Sequence, residues 1–560
     1  MIHAARICIV MTLVWAWGSL PTCGQTYQQL RFKKIEQAFA YGQYRDDSGS
    51  GNSWNRKADS NLDPIRFRTY DGTWNNLNWI AWGQTGSKLL RKSSSAYSDR
   101  RSEPARGDEL SPRAISNLVF EQSDSIDNSL SLSSMVWQWG QFIDHDLDLT
   151  ESHVPLEPLP IPVPTGDPFF DPAGTGTQVI PFFRSAYLRR TGFLNPRQQV
   201  NQITAWIDGS NVYGSDEETA QSLREYRNGR LLCSRGTGGQ FLPRDDDGFF
   251  RAGDVRVNEQ VCLIAMHTLF MREHNRIAGN LAAEFPRLDD EQIFQLARER
   301  VVGHLQAITY NEFLPAVLGD VMLEPYNGYD DTVYPGISNV FSGAAYRFGH
   351  SMLPNELLRL RNDGTPIRAG NLLLADAFFN PRLLMGIGID PYLKGLVEQP
   401  AQEIDAKVVG SIRNFLFGPP GAGGFDLAAL NIQRGRDHGL PDYNTVRERF
   451  GLARVVDFSE ITSNPGVQQA LATAYETVDD IDPWVGILAE DKATGAATGM
   501  TAAAIFKDQF QRLRTGDRFW YQVNLSPAMV AEIESTTLAD IIRRDTEVDS
   551  ISDDVFFVSE

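Results

Sequence analysis

The sequence predicts a mainly α protein: one large helical domain with long loops and little β-sheet. Three observations predict it. Between about residues 257 and 320 apolar residues recur at helical spacing, and Ile293, Leu296, Ala297, Val301, Leu305 and Ile308 form a single stripe. Clean alternating strand patterns are few, and no internal repeat or composition break divides the chain. A hydrophobic content of 42% with 11% aromatic residues is ample for a large core, although 560 residues would by length alone allow about three or four average domains.

From the N-terminus, an apolar run from Ile7 to Leu20 follows Arg6 and leads into turn and small residues up to Gly24. It is too short for a comfortable membrane span and has the layout of a secretory signal. The expected organisation is a signal peptide over 1–24, a polar mobile segment over 25–60 and a catalytic domain over 61–560, exported and without a second span. A formal charge of −19 and a pI near 5.0 argue against nucleic acid or an anionic membrane as main partner. Of the four cysteines, Cys8 and Cys23 fall in the signal. Cys262 sits in an apolar helical run, as a small core hydrophobe would. Spacing alone leaves a Cys233–Cys262 pairing open. No Cys-x-x-Cys-His and no Cys/His cluster occur, which excludes a c-type haem attachment and gives no zinc site.

Residues 61–115, rich in Trp, Asn and Gly, read as irregular but packed. The run Gln141-Phe142-Ile143-Asp144-His145-Asp146 follows, with Val136, Trp139, Phe142 and Ile143 at helical spacing. On a helix Gln141 and His145 share a face, and Asp144 and Asp146 flank His145 by about 100° each. Alone, this reads better as a solvated acidic helix end with a surface histidine. Residues 154–174 carry many prolines and read as a surface excursion. Thr204, Asp208 and Ser210 crowd oxygen-bearing side chains into one short stretch, which suits a hard cation such as calcium or an ordinary polar turn. Arg256-Val257-Asn258-Glu259 precedes a long helix in which His267 and His274, seven apart, read as structural. Asp289 is placed to cap the next helix, with Gln292 completing a capping box. Tyr346-Arg347-Phe348-Gly349-His350 comes next. The glycine-proline run at 418–424 lacks the Lys-Ser/Thr of a phosphate loop and reads as a connector. Leu430-Asn431-Ile432-Gln433-Arg434-Gly435-Arg436-Asp437-His438 closes the series.

Taken in order, these five motifs resemble the animal-type haem peroxidase family, the group of myeloperoxidase, thyroid peroxidase and peroxidasin. The resemblance runs from Arg68-Thr69-Tyr70-Asp71-Gly72-Thr73 to Gly516-Asp517-Arg518-Phe519-Trp520. It implies haem b and calcium as cofactors, and hydrogen peroxide with a small anionic or phenolic reductant as substrates. Residue by residue, it makes His145 the distal base and Arg256 the distal cation, with Gln141 lining the same pocket. It makes His350 the iron ligand and Asn431 its partner, accepting from the other ring nitrogen. Arg347 and Arg434 would lie near the haem propionates or the proximal side. Asp144 and Glu259 match carboxylates that can form ester bonds to haem. Asp146, Thr204, Trp206 (through its carbonyl), Asp208 and Ser210 match the calcium site. Where myeloperoxidase has a methionine beside the ester glutamate, this chain has Gln260, so the pattern is nearer peroxidasin or bacterial members.

Two other activities fit the same scaffold. A cyclooxygenase-like fatty-acid dioxygenase would carry a tyrosine three residues before the proximal histidine. Here that position is Arg347, and Tyr346 lies four before. A non-catalytic calcium-bound adhesion protein would be supported by loss of His145, Arg256 or His350, and all three are present. The expectation is a secreted enzyme, or a periplasmic one in a bacterium, that prefers iodide, thiocyanate or bromide to chloride.

Overall fold

Helices that meet through aromatic side chains carry the architecture. The computed structural model describes residues 66–421 and 423–559, all within one compact unit. The expected signal over 1–24, with Cys8 and Cys23, and the expected segment 25–60 lie outside the described residues. Helix α1 (Met135–Leu147) contains the first motif. Its Val136, Trp139, Phe142 and Ile143 are fully buried, as their spacing predicts. A single turn, α2 (Ser210–Tyr213), follows Gly209, whose φ of 74° is left-handed. A Cβ on Gly209 would stand 2.9 Å from the Tyr213 ring, so close approach and backbone hand both require glycine.

The long helix α3 (Val261–Glu284) is capped by the Gln260 side chain, which accepts from the Cys262 amide. After a break at Phe285-Pro286, α4 (Asp290–Ile308) starts at the predicted Asp289/Gln292 capping box. Ile293, Ala297, Val301, Leu305 and Ile308 are buried, and Leu296 lies half-buried at the margin of the stripe. α3 and α4 lie against each other, and α1 crosses onto α3. Phe142 stacks on Phe270 with centroids 5.1 Å apart and meets His267 edge-on at 5.0 Å, while Trp139 touches Phe270 at 5.7 Å.

Further along, α5 (Asn339–Gly343) leads into a 3₁₀ segment, Ala345–Ser351. α6 (Leu427–Asp437) starts where the Asp426 side chain accepts from the Ala429 amide. The 3₁₀ segment contacts both α1 and α6, so these three elements bring the first, fourth and fifth motifs together. Sheet is limited, among the described residues, to three antiparallel pairs of two strands. One pair, Ile161–Pro162 with Val179–Ile180, begins inside the proline-rich stretch 154–174, most of which is exposed as expected. Ile161 and Val163 are buried with Ile180, Phe182 and Ala429. The prolines bar a central strand, but not a short edge pair whose intervening residues pack inward. Cys233 and Cys262 are both free thiols. No helix among the described residues is long and apolar enough to cross a membrane.

Phe142→Ala should therefore leave a cavity between α1 and α3. The expected loss of stability is about 3–5 kcal/mol, read by thermal or denaturant unfolding. A loss within experimental error of zero would show that α1 is held by other contacts.

Candidate active site

The two sides of the site are built on different elements. On one side, α1 aims Gln141, Asp144 and His145 toward the turn that precedes α3. In that turn Asp254 Oδ1 accepts from the Arg256 amide at 2.8 Å and from its Nε at 2.9 Å, and Oδ2 accepts from Nη2 at 2.8 Å. Nη2 also donates to the Asp148 carbonyl at 3.0 Å, and Nη1 faces Asp144 Oδ2 at 3.6 Å. Asp254 Oδ1 stands 3.7 Å from His145 Nδ1. Gln141 Nε2 donates to Glu259 Oε1 at 3.3 Å, and Gln141 Oε1 accepts from Gln260 Nε2 at 3.0 Å.

Charge and burial set the protonation states here. Burial, with the Arg256 charge beside it, pushes His145 well below the usual imidazole range, so the ring is neutral. Burial and the Asp148 charge raise Asp144 well above the usual carboxylate range, against the opposing pull of Arg256 and Arg347. Burial lifts Glu259 to about 7. Asp254 is held down at about 2: burial works against its ionisation, and the charge and hydrogen bonds of Arg256 outweigh it. Asp144 keeps 31% of its side-chain surface accessible and Arg256 19%, although both sit deep in protein. Surrounded by protein yet reached by solvent, they line an internal cleft.

On the other side, the 3₁₀ segment carries Arg347 and His350, and α6 carries Asn431 and Arg434. Burial, with the charge of Arg347, lowers His350 to about 3, leaving a neutral imidazole. Asn431 places its Nδ2 2.8 Å from His350 Nδ1, and its Oδ1 accepts from Arg347 Nη1 at 3.3 Å. The expected arrangement had the amide oxygen on the histidine. Here that oxygen faces Arg347 Nη1 and the amide nitrogen faces the ring. Arg434 lies over the Phe182 ring at 4.3 Å and donates to Ser185 Oγ; burial lowers it to about 10. The two sides are linked. Arg347 Nε donates to the Ser342 carbonyl at 2.8 Å, Ser342 Oγ donates to Asp148 Oδ1 at 2.9 Å, and the Asp148 carbonyl accepts from Arg256.

The candidate cation residues converge at the end of α1. Asp146 Oδ2 accepts from the amides of Asp208 and Gly209 at 3.1 and 3.0 Å, and Oδ1 accepts from Ser210 Oγ at 2.8 Å. Thr204 Oγ1 donates to Asp208 Oδ1 at 3.0 Å. Trp206 buries its indole against Gly83, where any Cβ would fall 2.4 Å from the ring, and donates Nε1 to the Gly72 carbonyl. Burial and the Asp208 charge raise Asp146, and burial raises Asp208. Two buried carboxylates with hydroxyl and carbonyl oxygens around them are a donor set that fits a hard cation. No three His, Cys, Asp or Glu side chains cluster as a metal site among the described residues, so this set depends on its hydroxyls and carbonyls.

A profile of the animal haem peroxidase family matches residues 67–556. The chain belongs to that family. It is a haem-dependent peroxidase, an oxidoreductase that uses hydrogen peroxide and a reducing substrate. Peroxinectin A of Dictyostelium discoideum is 36% identical over 505 residues, covering 86% of this chain and 93% of that protein. The human peroxidasin homolog is 34% identical over 562 residues, covering 88% of this chain but only 38% of its own length. Among solved structures, peroxidase A of Dictyostelium discoideum superposes with a TM-score of 0.81 at 36% identity, covering 88% of this chain and 99% of that one. Oryza sativa fatty acid alpha-dioxygenase superposes with a TM-score of 0.76 at 21% identity over 89% of this chain and 88% of that one, a likeness of fold alone.

Several residues of the candidate site escape a motif reading. Asp148 and Ser342 make the bonds that tie the two sides together, Asp254 holds Arg256, and the motifs alone do not mark them. The local sequence Asp254-Val255-Arg256 carries the one usable signal, an aspartate placed to close a turn on the amide two residues on. His274 is structural as expected, between the Tyr213 hydroxyl at 3.0 Å and the Gly229 carbonyl at 2.8 Å. Gln260 caps α3 and also donates to Gln138 Oε1 at 2.6 Å. Gln260→Ala should remove that cap and strand both neighbouring glutamines, costing about 1–2 kcal/mol of stability. An unchanged unfolding midpoint would show that the cap contributes nothing to α3.

Proposed function

We propose that residues 61–560 form a secreted peroxidase that oxidises small anions or phenols through His145 and Arg256, with haem b held by His350. One observation carries this reading. A neutral histidine beside a fixed arginine faces the cleft from α1, and a second neutral histidine, held by an asparagine, approaches it from the 3₁₀ segment. Haem, when bound, supplies the two-electron redox centre that peroxide oxidises and the reductant restores.

The chain's own residues supply the rest. His145, uncharged at neutral pH, takes the peroxide proton and returns it to the departing oxygen. Arg256, kept charged by its carboxylate neighbours, stabilises negative charge as the O–O bond breaks. Gln141 orders water or a halide in the same pocket. His350 would hold the haem iron, with Asn431 as the hydrogen-bond partner of its other ring nitrogen. The cationic Arg347 and Arg434 suit the propionates, and the carboxyl groups of Asp144 and Glu259 suit ester links. Calcium would take Asp146, Asp208, Thr204, Ser210 and the Trp206 carbonyl, and so brace the end of α1. The apolar run Ile7–Leu20 supports export through a signal peptide over 1–24.

His350→Ala should abolish the Soret band. His145→Ala should keep the band and slow its response to peroxide by about 100-fold or more. A His145→Ala protein that responds at the wild-type rate would remove His145 from the distal role. Calcium removal, or Asp208→Ala, should lower melting temperature and haem occupancy together. Unchanged melting after exhaustive chelation, with metal content verified, would count against a structural calcium. Because Gln260 has no thioether to offer haem, iodide, thiocyanate and bromide should be oxidised faster than chloride. Steady-state comparison of the four anions at one pH tests this, and chloride turnover equal to bromide would overturn it.

A further inference from the structure

The Asp254 carboxylate lies at the centre of the peroxide-facing side without touching the cleft. It is 3% exposed. Three Arg256 donors converge on it: the amide and Nε on Oδ1, and Nη2 on Oδ2. This engages one edge of the guanidinium and leaves Nη1 directed toward Asp144. The same Oδ1 stands 3.7 Å from His145 Nδ1, a buried nitrogen with no other hydrogen-bond partner. We propose that Asp254 is a positioning residue that fixes the Arg256 guanidinium and the His145 imidazole relative to each other.

The surroundings make Asp254 a rigid reference point. Its amide donates to the Asn211 carbonyl at 3.1 Å, and Asn211 Nδ2 donates to the Phe142 carbonyl of α1 at 2.7 Å. Immediately before it, Gly253 runs so close to α2 that a Cβ would fall 2.2 Å from the Ser210 carbonyl. The carboxylate is thus anchored to α1, the helix that carries His145. A free arginine side chain populates many rotamers, and one held at both Nε and Nη2 presents Nη1 in one place. The carboxylate opposite Nδ1 favours the tautomer with Nδ1 protonated, leaving Nε2 as the lone-pair nitrogen for a proton from peroxide. This inference rests on the proposed roles of His145 and Arg256.

The test uses the haem-loaded protein, with every rate expressed per haem. Wild type is measured first; a wild-type Soret band indifferent to peroxide would sink the proposed function itself. Asp254→Asn keeps the shape but turns a donor toward Nη2. Asp254→Glu keeps the charge and displaces it by one methylene. Both should slow the peroxide-driven Soret change by about 100-fold, the scale on which misplaced catalytic groups act. Cyanide association, which also needs the distal base, should slow in parallel. The rate at which a phenol then restores the resting spectrum should stay within about twofold of wild type, since that step needs no O–O cleavage. In an Arg256→Gln background, Asp254→Asn should have at most about one-third of its effect, because residues acting as a unit are non-additive. A wild-type peroxide rate in either single variant overturns the proposal. So does an equal loss in the phenol step, or a full-size effect of Asp254→Asn without Arg256.

Discussion

The structure depends on one helix being held in a single rotation and register. Successive residues of α1 are committed in different directions: Phe142 into the aromatic stack on α3, Asp144 to the cleft beside Arg256, His145 opposite Asp254, and Asp146 onto the 208–211 turn. A rotation that improved one contact would break the others, so no partial adjustment is available. Burying the aromatic face supplies most of the stabilisation, at about 1.5–3 kcal/mol for each large apolar side chain. The polar contacts decide where that burial stops. The tie from Asn211 to the Phe142 carbonyl and the tie from Asp146 to Gly209 act within two turns of one another, one on each side of His145.

Burying so much charge in one place has an electrostatic cost that the arrangement distributes unevenly. Desolvation favours neutral forms, and the two histidines follow it: burial and the Arg256 charge outweigh the Asp254 carboxylate beside His145, and burial with the Arg347 charge lowers His350. Arg256 stays charged because Asp254 is bonded to it directly, and Asp254 stays ionised for the same reason. Asp144 and Glu259 are left to rise, since the shared cation is engaged by a better-placed carboxylate. In the proposed reading, this division yields one committed ion pair and a neutral base in the same cleft.

Much of this was legible in the sequence, and the failures have physical causes. The Asp289 capping box and the stripe of α4 follow local rules that tertiary context did not override. The helix through Gln141–Asp146 was readable because its apolar residues keep helical spacing. The inward packing of Ile161 and Val163 was not, because prolines mark where a strand cannot continue but say nothing of which face the intervening residues bury. Asp254 was hidden for a different reason. An aspartate in a loop looks the same whether it faces water or a buried guanidinium, and only the approach of α1 decides. The roles assigned to His350 and Asn431 came from resemblance rather than periodicity. What the fold adds is that both reach the same point from separate elements, though Arg347 competes for the Asn431 oxygen.

The likeness to a fatty acid alpha-dioxygenase shows how little the scaffold constrains the reaction. The positions on which a dioxygenase reading of this chain turns lie just before His350. Tyr346, one residue away from the place a dioxygenase reading needs, is buried in an aromatic cluster, stacked on Phe341 at 4.5 Å and bordered by Phe348, Phe506 and Phe510. Burial, with the charges of Asp144 and Asp148, pushes its hydroxyl well above the usual phenol range. Arg347 occupies the position three before the histidine and spends its donors on Ser342 and Asn431. A cation fixed there favours anionic groups beside His350, and no phenol stands in its place to be oxidised. In the proposed reading, the cation that braces His350 occupies the place where a dioxygenase would need its tyrosine.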